Sequence, residues 1–219
     1  MAPATIDEIT LSGDPSRWAA LGFTVAENAI RVGDVTLRFG ESPQGGGMLS
    51  WSLQDIASTA LDGLPTTRST RPPASAADAD ADPPQHAGGV IAIDHIVAMS
   101  PHLERTVSAL QAAGLDLRRI REEPTPAGAP RQAFFRLGHE ILEVVQEPDE
   151  LLARAGGRDR PARFWGLALL AEDLEQAMAA FGSSVGVAKS AVQPGRRIAT
   201  VARSAGLSLP VALMSRREG

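Results

Sequence analysis

Two residues of this sequence are placed to do chemistry together: His95 in IDHIVAM (93–99) and Glu143 in HEILEVVQ (139–146). The first segment reads as a buried strand carrying one imidazole, the second as the closing strand of a hairpin carrying one carboxylate. An imidazole and a carboxylate projecting into one shared hollow mark where a site would be, without naming what it turns over. The two can equally satisfy each other as a hydrogen-bonded pair with no ligand at all.

Other side chains are candidates for ligand contacts. Arg131 and Gln132 open one hairpin strand, and Arg196 and Arg197 open the corresponding strand near the end of the sequence. Arginines at a rim hold carboxylate or phosphate through bidentate bonds, although exposed strand ends carry arginine without any such role. Trp165, beside Phe164, offers a wall for stacking a planar ligand, next to Gly166, whose missing side chain enlarges the hollow. His139, beside Gly138, reads as an exposed turn residue. Trp18 and Trp51 read as core.

Composition removes several chemistries. Cysteine and tyrosine are absent and Lys189 is the single lysine among 219 residues. Disulfides, thiolate catalysis, thiolate–metal sites and phenolic acid–base work are therefore out of reach. A formal net charge of −5 gives no reason to expect nucleic acid or an anionic membrane as partner. No apolar run is long enough to span a bilayer, so the expected location is the cytoplasm and the expected partner a small molecule. No Walker motif, dinucleotide fingerprint, nucleophile elbow or zincin motif is present.

The elements that must position His95 and Glu143 recur along the chain. TIDEITLS (5–12) reads as a strand and DPSRWAALG as a helix capped by Asp14. FTVAENAIRVGDVTLRFG (23–40) reads as short strands around a Gly33-Asp34 hairpin turn. MLSWSLQDIASTALDG reads as a strand and then a helix. From Thr66 to Gly89 proline, alanine, serine and aspartate dominate. This stretch is expected to be a flexible linker, with Asp78, Asp80 and Asp82 a solvated tract and His86 without a role. IAIDHIVAM is a strand. SPHLERTVSALQAAG is a helix with Ser100 as cap, Pro101 at its first position, and Leu103, Val107 and Leu110 on one face. A hairpin about Gly138 follows, then a further strand and helix in FWGLALLAEDLEQAMAAFG. A last hairpin turns around Gly206.

Self-similarity organises these pieces. Sliding residues 95–110 onto 166–181 without a gap sets Leu103 on Leu174, Glu104 on Glu175 and Leu110 on Phe181. IDEI (6–9) falls on IDHI (93–96), and MLSWSLQDI on GLALLAEDL. The chain is thus four copies of one β-α-β-β-β module, the second cut short. A sheet with one helix on its back must pair with another to bury itself, and two paired sheets curl into a cup.

This pattern resembles the vicinal oxygen chelate superfamily, which includes glyoxalase I, extradiol dioxygenases and bleomycin-resistance proteins. The resemblance implies an α+β fold of tandem βαβββ modules. Residues 1–65 form a degenerate half, 66–89 the linker, and 90–217 a glyoxalase-like domain of two paired modules. It implies a metal-binding histidine on a module's first strand and a metal-binding glutamate on its last, and these positions fall on His95 and Glu143. The equivalents elsewhere are Gly166 with Val211 or Ala212, Glu8 with Arg38, and Met48. The ligand set is incomplete, so the expectation is a cup that binds a small organic molecule without a full catalytic metal centre. The alternative is a glyoxalase-like lyase or isomerase using His95 and Glu143 for proton transfer, with or without zinc, nickel, manganese or iron. Glu8 and Arg38 would form an ion pair within one sheet. The unpaired edge of the second module leaves room for a homodimer.

Overall fold

The eight-stranded sheet that carries His95 is one strand order used twice. The computed structural model describes residues 2–41, 46–71, 86, 88–125, 128 and 130–217; the aspartates at 78, 80 and 82 lie outside these. The third module contributes β6 (Val90–Ser100), α2 (Leu103–Ala112), β7 (Asp116–Arg121), β8 (Gln132–Leu137) and β9 (Glu140–Gln146). The fourth contributes β10 (Arg163–Ala171), α4 (Leu174–Phe181), β11 (Lys189–Ser190), β12 (Arg197–Thr200) and β13 (Val211–Met214), after a short connecting helix α3 (Asp149–Arg154). In each module the last strand returns parallel to the first. The two first strands, β6 and β10, pair antiparallel at the centre, in the order β11-β12-β13-β10-β6-β9-β8-β7.

The ladder bears out the repeat read from the sequence. His95 pairs with Ala168 and Val97 with Gly166. The repeat carries His95 onto Gly166 and Val97 onto Ala168, so the two pairs exchange, as a pseudo-twofold axis between modules requires. Glu143 lies opposite Val97 and Ala212 opposite Ala168, which makes Ala212, not Val211, the counterpart of Glu143.

The first half of the chain builds β1 (Thr5–Ser12), α1 (Pro15–Ala19), β2 (Ala29–Val32), β3 (Val35–Gly40), β4 (Met48–Gln54) and β5 (Thr66–Arg68), ordered β2-β3-β1-β4-β5. The expected strand near residue 23 is reduced to a bridge between Ala26 and Ala29. The second module is stripped rather than cut short. It keeps a first strand, β4, and a parallel last strand, β5, and no helix lies between them. Asp55 and Asp62 adopt left-handed backbone (φ 55° and 52°), and Ser58 Oγ accepts from Ala60 N, diverting the chain from helix. The linker therefore cannot begin at Thr66, which pairs with Trp51. Register also moves the first-strand position of this module from Met48 to Ser50, because Thr10 faces Ser50 as Val97 faces Gly166.

Both halves share one core. Leu142, Val144, Phe135, Ile96, Leu167 and Leu169 point from the eight-stranded sheet into it, Trp51 and Leu37 enter from the five-stranded sheet, and Trp18 enters from α1. Each such fully buried aliphatic or aromatic side chain contributes about 1.5–3 kcal/mol over the exposed state. Trp51 and Phe164 meet edge to face with centroids 5.1 Å apart, and Phe23 meets Phe181 at 5.9 Å. Asp62 accepts from Arg105 Nε at 2.7 Å and from Thr106, tying the first half to α2. That helix starts later than the sequence implied. His102 is its cap, with Nδ1 accepting from Arg105 N, while Ser100 ends β6 and bonds Thr106. His86, given no role by the sequence, is 5 % exposed and locked in place. Its Nδ1 accepts from Thr24 N at 3.2 Å, and its Nε2 donates to Arg31 O at 2.9 Å.

With helices and the first half packed on one side, no described helix or strand packs on the other, open face of the eight-stranded sheet. Among the described residues no helix is long and apolar enough to cross a membrane.

Candidate functional site

The open face is where His95 and Glu143 meet. His95 and Val97 share a side of β6, and Glu143 is the register partner of Val97, so both polar groups emerge on the same side. Nε2 of His95 lies 3.6 Å from Glu143 Oε2, with 12 % and 13 % of the two side chains exposed. Val97 and Val145, with Met99 against them, form a small apolar floor beside the pair, separate from the main core.

A third group, not among the candidates read from the sequence, joins them. Asp94 Oδ2 accepts from His95 Nδ1 at 2.8 Å. Adjacent strand residues normally point to opposite faces. Here the ladder steps from Ile93 opposite Leu169 to His95 opposite Ala168, leaving Asp94 as the extra residue of a bulge. A bulge re-aims side chains, and this one brings Asp94 beside its neighbour. Asp94 Oδ1 also accepts from Arg196, whose Nε donates to Ser215 O at 2.9 Å.

The electrostatics follow from these partners. Burial opposes the charge on Asp94, but the hydrogen bonds from His95 and Arg196 together outweigh it and hold the carboxyl below its ordinary range. An ionised carboxylate only accepts, so Nδ1 carries the proton and Nε2 is the nitrogen left facing Glu143. Burial pushes the Glu143 carboxyl up, against the pull of His95 and of the hydrogen bond from Gln132. Gln132 Oε1 and Arg121 Nη1 are buried and have no hydrogen-bond partner among the described residues; the two residues face one another across β7 and β8.

The remaining sequence candidates separate. Gln132 reaches the site. Arg131 does not: it pairs with Glu122 at 2.6 Å and with Glu104 of α2, which hold its guanidinium firmly charged. Arg197 shares a strand side with core residue Ala199 and pairs with Glu175 of α4, on the covered side of the sheet. Its neighbour Arg196 lies on the open face, against Asp94. Trp165 is the extra residue of a bulge in β10, 46 % exposed, while Phe164 packs on Trp51. Gly166 does not enlarge the hollow, because a Cβ there would lie 2.7 Å from Pro210 O. His139 is exposed at the turn. Glu8 and Arg38 form the expected ion pair at 2.8 Å, in the register that His95 and Glu143 occupy in the other sheet.

No family model matches the sequence, and no curated protein matches it. Solved structures do. A variant of 4-hydroxymandelate synthase from Streptomyces coelicolor aligns over 99% of this chain and 94% of its own, at 13% identity and TM-score 0.63. A xylose isomerase-like TIM barrel/4-hydroxyphenylpyruvate dioxygenase fusion protein aligns over 98% of this chain at 12% identity and TM-score 0.62. This chain spans about half of that protein, 49% of it. The chain shares the fold of these structures, tandem βαβββ modules with paired sheets.

At the first-strand and last-strand positions of each module, the donor set can be tested against a metal position by position. Nε2 of His95 and the carboxylate of Glu143 face each other. Gly166 and Ala212, at the matching positions of the partner module, offer no donor, and the Pro210 carbonyl fills the space beside Gly166. Both oxygens of Asp94 are engaged by His95 and Arg196. A catalytic zinc takes three protein ligands and a non-haem iron site two histidines and a carboxylate, so the residues present fall short of either. Among the described residues no cluster of three or more His, Asp or Glu side chains is arranged to hold an ion.

Proposed function

We propose that the open face of the eight-stranded sheet binds a small organic molecule over the His95–Glu143 pair. One observation carries this reading. The buried Glu143 carboxyl, pushed upward by that burial, the His95 imidazole, and Gln132 Oε1 and Arg121 Nη1, which have no hydrogen-bond partner among the described residues, are gathered on the side of the sheet on which no described helix or strand packs. Buried polar groups without partners cost stability and are retained where a ligand supplies the missing bonds. The apolar floor of Val97, Val145 and Met99 supplies the contact area beside them. The test is thermal unfolding with a panel of small 2-oxo, 2-hydroxy and dicarboxylic acids. At least one class should raise the melting temperature of wild type and fail to do so in His95→Gln and Glu143→Gln. Equal responses in all three proteins would overturn the reading.

A second reading, proton transfer next to a carbonyl, is supported by the alignment of Asp94, His95 and Glu143. Asp94 fixes the ring so that Nε2 faces Glu143 across 3.6 Å, longer than a hydrogen bond, and a ligand atom in reach of both would meet a proton donor and an acceptor. For a panel compound that binds, exchange of the proton beside its carbonyl in deuterated water should be faster with wild type. Glu143→Gln should bind it and not exchange it. Exchange at the uncatalysed rate with wild type would remove this reading and leave binding alone.

A further inference from the structure

At the module-four end of the same face the sheet opens into a cleft of about 460 Å³, lined by Asp94, Leu170, Gln193, Pro194, Arg196, Arg216 and Arg217. Three arginines and one aspartate are among its lining residues, in a chain whose formal net charge is −5. Only Arg196 is tied down, by Asp94 and by Ser215 O. Arg216 reaches an exposed Glu172 at 3.5 Å, a loose contact, and the exposed Arg217 has no ion-pair partner among the described residues. Exposed like charges repel and gain nothing by crowding around a concave surface unless an anion joins them.

We infer that this cleft is an oxyanion subsite, and that it takes the carboxylate or phosphate of a small organic molecule whose other end lies over His95. The inference rests on the open-face reading and narrows the ligand to an organic anion. Its coupling to the acid–base pair is built into the contacts: Arg196 holds one oxygen of Asp94 and His95 holds the other. An anion that draws on Arg196 therefore acts on the group that orients the imidazole.

Malonate and inorganic phosphate are the probes, titrated into the full chain and followed by calorimetry and by the His95 imidazole resonances. Wild type should bind at least one of them and show a shift at His95. The Arg216→Gln/Arg217→Gln double variant, altered at exposed positions that carry no core contact, should bind about tenfold more weakly or worse. Arg197→Gln, one residue from Arg196 but on the covered side, should bind as wild type does. Tighter phosphate identifies a phosphorylated ligand and tighter malonate a dicarboxylate; either upholds the subsite. No binding of either probe, equal binding by the double variant, or an equal loss in Arg197→Gln overturns it. If both probes fail while uncharged or singly charged compounds still perturb Val97 and Val145, the subsite falls and the open-face reading stands. If the probes bind through Arg216 and Arg217 while nothing perturbs those valines, the open-face reading fails instead.

Discussion

Asp94 and His95 are consecutive in the chain, yet their side chains meet on one side of the sheet, Oδ2 to Nδ1 at 2.8 Å. The bulge in β6 that makes this contact also sets the tautomer of the ring and leaves Nε2 for Glu143. A regular strand would have sent Asp94 into the core and left His95 to rotate freely.

Replacing Asp94 by Asn tests that arrangement. The variant loses a charge-assisted bond to each of two partners and leaves Arg196 short of a counter-charge. Destabilisation of about 1–3 kcal/mol is expected in urea unfolding. The imidazole resonances should report mixed tautomers where wild type shows one.

Gly166→Ala should destabilise by about 1–3 kcal/mol, since its Cβ would meet Pro210 O at 2.7 Å and the backbone of a packed strand must shift. Gly166→His, which writes a second first-strand histidine into the repeat, should cost at least as much and should not bring stoichiometric zinc uptake. Equilibrium unfolding and metal analysis check both variants.

His86 predicts a pH dependence. Burial holds its pKa below the ordinary 6.5, opposed by the bond to Arg31 O. A depressed folded value means the unfolded chain takes up the proton first. The contribution of His86 is complete above pH 6.5 and is lost as pH falls from there through the folded value. His86→Leu should be less stable than wild type by about 1–2 kcal/mol at pH 7.5, for two lost hydrogen bonds. The difference should shrink by pH 5.5. A constant difference across that range would contradict the assignment.

Glu8→Gln should change stability by less than about 1 kcal/mol, because Glu8 and Arg38 are exposed enough for water and salt to screen them. The contrast with Asp94→Asn separates two ion pairs at related positions by burial alone.

The modular fold was readable because a β-α-β-β-β unit leaves a periodic trace, and Leu103 on Leu174 or Glu104 on Glu175 is enough to set its register. The pairing of His95 with Glu143 followed from the same register. What escaped was whatever depends on a one-residue step. Period-two reasoning places Asp94 opposite His95, and only the bulge reverses it. Arg196 and Arg197 differ by one position and stand on opposite sides of the sheet, with nothing in the letters to choose between them. QDIASTALDG has the composition of a short helix, but Ala57 donates to Ala113 O at the end of α2 and Asp62 binds Arg105, so long-range contacts hold it as turns. Gly166 read as space, but the backbone carbonyl of Pro210, at the entry to β13, closes off the position a side chain would take.

Chemical-shift mapping of the acid panel on isotope-labelled protein decides whether the face around His95 and Glu143 is a ligand site. Perturbations from a binding compound should cluster at His95, Val97, Gln132, Glu143 and Val145. If those resonances stay fixed across the panel, or move no more than the covered positions Ile96 and Leu142 on the reverse of the same strands, the site is not there.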